Sequence, residues 1–139
     1  MTEREKLISV FESKPFVVFA YLFGSRATGC ANERSDWDIA VYFSRSPQTM
    51  KGWVVFEVEA ELSSAIGSTV QVINLNSHVS PILGFQIVNE GQVLIDKDED
   101  VRLDVTNKIL RQYLDWQYYL KRHTGHNNIL QKDSIFCKS

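Results

Sequence analysis

Gly24-Ser25, then ten residues, then Asp36-Trp37-Asp38 is the arrangement in this 139-residue chain whose residue types and spacing point to a defined chemistry. A glycine lets main-chain N–H groups approach phosphate oxygens with no side chain intervening, and the Ser25 hydroxyl can donate to a phosphate. Arg26 adds a cation beside them. Asp36 and Asp38 share a face if the backbone is extended, with Trp37 on the other. A carboxylate pair of this kind is a usual protein contribution to a magnesium site, completed by water and substrate phosphate. Two such ions, roughly 3.5–4 Å apart, would polarise an α-phosphate and stabilise the entering and leaving oxygens. The combination reads as nucleotidyl transfer, with Asp36 and Asp38 as catalytic and metal-binding residues and Gly24, Ser25 and Arg26 as nucleotide-binding ones. Taken separately, Gly-Ser is an ordinary turn and acidic pairs often edge a strand. Their joint occurrence between two apolar runs favours chemistry.

Those runs are the elements that must hold the motif in place. Phe16 to Phe23 is continuously apolar, too short to span a bilayer and suited to a strand buried on both faces; Ile39 to Phe43 continues a second strand, 37–43. Upstream, Thr2 and Glu5 have capping-box spacing, and Leu7, Ile8 and Phe11 give a helix an apolar face that ends near Pro15. Ser46-Pro47-Gln48 marks a loop. Trp53 to Ile66 alternates in part like a strand, but its length and the stop at Gly67 favour a helix. A strand at 69–75 follows, then a helix opened by Ser80-Pro81 and closed by Gly91, a short strand at 92–96, and a last helix, roughly 98–122. The expected fold is α/β, a mixed twisted sheet with helices mainly on one face. It comprises a core at 1–97, the C-terminal helix at 98–122 and a polar tail at 123–139, one domain in all.

Phe23-Gly24-Ser25-Arg26-Ala27-Thr28-Gly29, followed by Ser35-Asp36-Trp37-Asp38-Ile39-Ala40-Val41, resembles the G-S-x10-D-x-D signature of the polymerase-β-like superfamily in its minimal nucleotidyltransferase (MNT) form. The resemblance runs from roughly Val17 to Asp96, and Phe85 to Asp96 is similar to the closing helix and strand of these domains. It implies a helix at 53–66 and a third carboxylate on the strand 70–75, where this chain has Gln71, whose amide carries no charge and cannot serve as a general base. A shifted register brings Asn74, which is no acid either. Glu57, Glu59 and Glu61 read as a solvated face.

Stand-alone domains of this size resemble the antitoxin half of type VII-like HEPN/MNT toxin–antitoxin pairs. The resemblance implies ATP bound with Mg²⁺ and AMP transferred to a tyrosine of a HEPN ribonuclease toxin, the two proteins forming a hetero-oligomer. Two other readings stay open: an antitoxin that neutralises by binding alone, which Gln71 favours, and a small-molecule nucleotidyltransferase that works with a separate helical subunit.

Composition narrows the partners. A net charge of −2 without a Lys/Arg-rich patch argues against a nucleic-acid substrate. No run approaches the roughly 20 apolar residues of a membrane span, and Met1 to Lys6 is charged with no signal-peptide core behind it, so a cytoplasmic protein is expected. Cys30 and Cys137 are read as reduced thiols, and His123 and His126 as an exposed polar segment rather than a metal site. The last helix carries more large apolar side chains than one face can hold. Val101, Val105 and Ile109 are assigned to the core, and Tyr113, Trp116 and Tyr119 are candidate contacts with another protein. The tail, anchored only by Ile129, Leu130, Ile135 and Phe136, is expected to order on a partner.

Overall fold

In the computed structural model, residues 2–29, 36–45, 53–77 and 79–124 are described. They form α1 (Glu3–Glu12), β1 (Val17–Phe23), α2 (Ser25–Thr28), β2 (Trp37–Phe43), α3 (Val54–Ile66), β3 (Val70–Asn74), α4 (Pro81–Glu90), β4 (Gln92–Asp96) and α5 (Glu99–Thr124). The capping signals act as their residue types require. The Thr2 hydroxyl accepts from the Glu5 N–H, the Ser80 hydroxyl from the Leu83 N–H ahead of Pro81, and Asp98 from the Val101 N–H. The segment 54–66 is helical despite its alternating charges. The loop at 46–48, both cysteines, His78, His126 and the tail beyond Thr124 lie outside the described residues.

The sheet has the order β3-β2-β1-β4, with β1 antiparallel to both β2 and β4 and β2 parallel to β3. It is covered on both faces, not mainly on one as the sequence suggested. Trp37, Ile39, Val41 and Phe43 join Val17, Ala20, Leu22 and Val70 against Leu7 and Phe11 of α1 and Val58 and Leu62 of α3. On the other face Phe19, Tyr21, Phe23 and Ala40 pack with Ile87 of α4, and Val101, Val105 and Ile109 of α5 close over them. The physical reason lies in β1 and β2. Strands apolar at nearly every position must be shielded twice, so a single helical layer would leave one face wet.

The α5 helix is tied down along its first half. Arg102 donates to Asp96 at 2.6 Å and to the Tyr21 hydroxyl at 3.3 Å, and these two bonds hold its pKa above the ordinary guanidinium value. Gly84 lets α4 approach α5 closely, since a Cβ there would stand 2.9 Å from Ile109 Cγ2. Further along, Tyr113 lies flat on Phe85 with ring centroids 4.0 Å apart, and it is only 4% exposed. Burial raises its pKa, partly offset by the hydrogen bond from Gln117. Tyr113 is therefore spent inside the chain and is withdrawn as a partner contact, because Phe85 supplies an aromatic platform one helix away. Trp116 is partly buried, whereas Tyr119 stays exposed with its ring stacked on His123.

Candidate active site

The turn and the carboxylates meet at one end of the β1–β2 hairpin because the two strands pair Phe23 with Asp38. Gly24, the next residue, leaves β1 with φ 75°, in the left-handed region, and caps α2. A Cβ at this position would lie 2.6 Å from Asp38 Oδ2, so the space beside the carboxylate exists only because residue 24 is glycine. Ala27 and Thr28 both donate their N–H groups to the Gly24 carbonyl, and the Thr28 hydroxyl adds a third bond to it, which closes the four-residue helix onto the turn.

Alternation along β2 turns Trp37 toward α1 and α3 and Asp38 toward the opposite face, the one that carries Phe23 and Ala40. Asp36 lies one residue before the strand, exposed, yet near enough to act on its neighbour. Asp38 has its pKa raised first by burial and then by the negative charge of Asp36. Two carboxylates that repel each other in a half-buried setting are a poor structural device and a good cation site. The donor set of hard oxygens beside a glycine-lined gap fits a divalent cation with a nucleotide triphosphate.

Gln71 falls where the motif resemblance puts a third acid. Its Cα is paired with that of Asp38 across the parallel β2–β3 ladder, and the alternation of Val70, Val72 and Ile73 places it on the same face. Among the described residues no group of three or more Asp, Glu, His or Cys side chains is placed to hold a metal ion. The glutamates of α3, read from the sequence as a solvated face, do not supply the missing acid. Glu59 accepts from the Val72 N–H at 2.9 Å, where it satisfies a donor of the edge strand β3, and Glu61 pairs with Lys14. Both belong to α3, which packs on the face away from Asp38; Glu57 is exposed on the same helix. Asn74 is bonded into the turn after β3 through Ser77 and Asn76.

Arg26 is placed differently from Ser25. Its guanidinium carbon stands 4.7 Å from the centre of the Trp37 ring, a cation–π contact on the side of β2 that faces away from the carboxylates. Two residues that the motif did not reveal also serve this region. The Gln92 side chain donates to the Ala27 carbonyl at 2.8 Å, and Arg4 of α1 donates to the Gln92 side-chain oxygen and, at 3.3 Å, to the Val93 carbonyl. They are 65 and 88 residues from their partners, a distance at which no sequence spacing signals contact.

Comparison with known proteins bears on the fold and the family. The chain is similar to a protein adenylyltransferase MntA of Aphanizomenon flos-aquae, 27% identical over 104 residues that make up 70% of this chain and 69% of that protein. In structure it resembles a toxin–antitoxin crystallised with AMP-PNP, at a TM-score of 0.72 and 28% identity, over 87% of this chain and 94% of that one. It also resembles the complex of a tri-AMPylated Shewanella oneidensis HEPN toxin with its MNT antitoxin, at a TM-score of 0.65 and 26% identity, over 86% and 91% of the two chains. The family model of polymerase beta nucleotidyltransferases matches residues 5–100, from α1 through the site to the start of α5, and the chain belongs to that family.

Proposed function

We propose that this protein is the antitoxin of a HEPN/MNT pair and acts as a protein adenylyltransferase, moving AMP from ATP to a tyrosine of its HEPN ribonuclease partner. The observation that carries the reading is the Phe23–Asp38 register, which sets the Gly24-Ser25 turn against the carboxylate pair at a spacing only glycine permits. In the reaction the tyrosine oxygen bonds to the α-phosphorus as the bond from that phosphorus to the β-phosphate oxygen breaks. Pyrophosphate leaves, and the phenolic proton passes to solvent.

Main-chain N–H groups at Gly24-Ser25 and the Ser25 hydroxyl hold the triphosphate. Asp36 and Asp38 would hold Mg²⁺, which when bound supplies charge neutralisation for the phosphates. Arg26, whose guanidinium stands over the Trp37 ring in this structure, is the cation nearest in sequence to assist them. Catalysis here is chiefly positioning and electrostatics, which suits a site whose third-acid position is the amide Gln71 and an acceptor as acidic as a phenol. An AMP group beside a site that binds RNA phosphate would block it by repulsion and bulk. An RNA-cutting partner and the need for ATP support a cytoplasmic location on this reading. No helix among the described residues is long and apolar enough to cross a membrane.

Gln71 favours a second reading, in which the domain neutralises its partner by binding alone. Intact mass spectrometry of the co-expressed HEPN partner, incubated with this protein, ATP and Mg²⁺, separates the two. Gains of one or more AMP masses that vanish in the Asp36→Asn/Asp38→Asn double variant support transfer. An unmodified partner that is nonetheless bound and inhibited supports the second reading.

A further inference from the structure

The four-residue α2 is too short to be stable by itself, since a helix of this length has barely closed its first hydrogen-bonded turn. Its position therefore depends on what grips it from outside. The Gln92 amide nitrogen, at the first residue of β4, donates to the Ala27 carbonyl, and the Ala27 N–H in turn donates to the Gly24 carbonyl at 3.0 Å. Two hydrogen bonds thus connect an edge strand of the sheet to the glycine of the turn. Arg4 completes the line from α1, because its guanidinium occupies the Gln92 side-chain oxygen and leaves the amide nitrogen pointing at α2.

We propose that Gln92 is a positioning residue for the nucleotide, holding the Gly24-Ser25 turn in its triphosphate-binding shape, with Arg4 fixing which end of the Gln92 amide faces α2. This rests on the reading of that turn as the nucleotide site. Gln92 and Arg4 stand in β4 and α1, outside the turn and the carboxylate pair. They act through Ala27 and, together with the Thr28 hydroxyl, restrict a turn whose N-cap is a glycine and has no side chain to cap the helix. The amide is suited to the task because it accepts and donates at once.

Gln92→Glu isolates the claim. A carboxylate keeps the size of the side chain and its bond to Arg4, but it has no hydrogen to give the Ala27 carbonyl. The test is the affinity for AMP-PNP with Mg²⁺, by calorimetry on the full chain, beside the melting temperature of each protein without nucleotide. We expect Gln92→Glu to bind about fivefold more weakly, the affinity change equivalent to about 1 kcal/mol, with an unchanged melting temperature because the charge-assisted bond from Arg4 to the new carboxylate offsets the one lost to Ala27. Arg4→Ala, which frees the amide to rotate, should weaken binding in the same direction by less. Affinity within a factor of two of wild type in Gln92→Glu would overturn the assignment. So would weaker binding accompanied by a matching fall in melting temperature in both variants, which would make the contact a matter of general stability. Failure of the wild-type protein to bind AMP-PNP would instead overturn the nucleotide reading itself, and this inference with it.

Discussion

Against α1 and α3 the sheet presents an unbroken apolar surface, from Phe43 and Val17 at one end to Trp37 at the other, with Leu7, Phe11 and Leu62 fully buried on it. Against α4 and α5 the cover stops short. Phe19, Tyr21 and Ala40 are packed, but beyond them the same face carries Asp38 and Gln71, with Asp36 exposed at its edge. One strand, β2, supplies both surfaces from alternate residues. The fully packed face provides the rigidity, and the interrupted face accepts an electrostatic cost on that support. The price is visible in Asp38, whose ionised form is disfavoured by burial and by its neighbour.

The contrast makes the two faces separable by mutation. Truncation on the packed face should act on stability alone: Phe11→Ala, from a side chain with no exposure, is expected to cost about 3–5 kcal/mol in a denaturant titration. Nucleotide affinity of the molecules that remain folded should be unchanged. A comparable loss of affinity in the folded fraction would mean that the faces are not independent.

Asp38→Asn should do the opposite. Transfer of AMP is expected to fall by about 10²–10³-fold or more, the scale on which a site loses a principal electrostatic group. Meanwhile the nucleotide-free protein should melt higher than wild type at neutral pH. The sign follows from linkage. The folded state binds the Asp38 proton more tightly than the unfolded chain does, so ionised Asp38 subtracts stability at every pH above its folded pKa. The advantage of Asp38→Asn should shrink as pH falls through that raised value, and vanish below the unfolded value near 3.8. Melting curves of both proteins across acidic to neutral pH measure it, and an advantage that grows on acidification would refute the burial argument.

Gly24→Ala tests the join between the faces. Its backbone is in the left-handed region and its missing Cβ faces Asp38 Oδ2, so the substitution strains the turn and displaces the carboxylate together. A cost of about 1–3 kcal/mol is expected, with loss of AMP-PNP binding. Stability at the wild-type level would show that the turn can relax around a methyl group.

How much of this was readable in the sequence depends on the range of each signal. The motif is local, and two local facts, the ten-residue gap and the alternation of β2, put Gly24 beside Asp38 correctly in outline. The pairing of Gln71 with Asp38 was reachable only through the family resemblance, because parallel register between β2 and β3 leaves no mark at short spacing. Cover on both faces was implied by the continuous apolar runs, yet the expectation of helices mainly on one face overrode it. Arg26 was placed near the phosphate site by sequence adjacency, although the neighbouring Trp37 ring offers its guanidinium a platform on the other side. Tyr113 misled for the same reason that buried aromatics often do: a helix apolar on several sides does not state which ring finds a partner within the chain, and only the fold brings Phe85 beneath it. Gln92 and Arg4 gave no signal, being polar surface residues whose value lies in distant partners.

The smallest change expected to register is Gln71→Glu, which extends the contrast between the faces by one more charge on the interrupted one. Gln71 is exposed, so the new carboxylate would remain hydrated and its repulsion of Asp38 would be screened. The nucleotide-free protein should lose only a few tenths of a kcal/mol, a change near the limit of a melting measurement. Toward a divalent cation the same carboxylate acts in concert with Asp38, its register partner, and should tighten Mn²⁺ binding in the presence of AMP-PNP by a few-fold, measurable by calorimetric titration. The two effects carry opposite signs from one charge, which a general surface effect would not produce. If Mn²⁺ affinity is unmoved while Asp38→Asn reduces it, then Gln71 stands beside the site without belonging to it, and the interrupted face ends at Asp38.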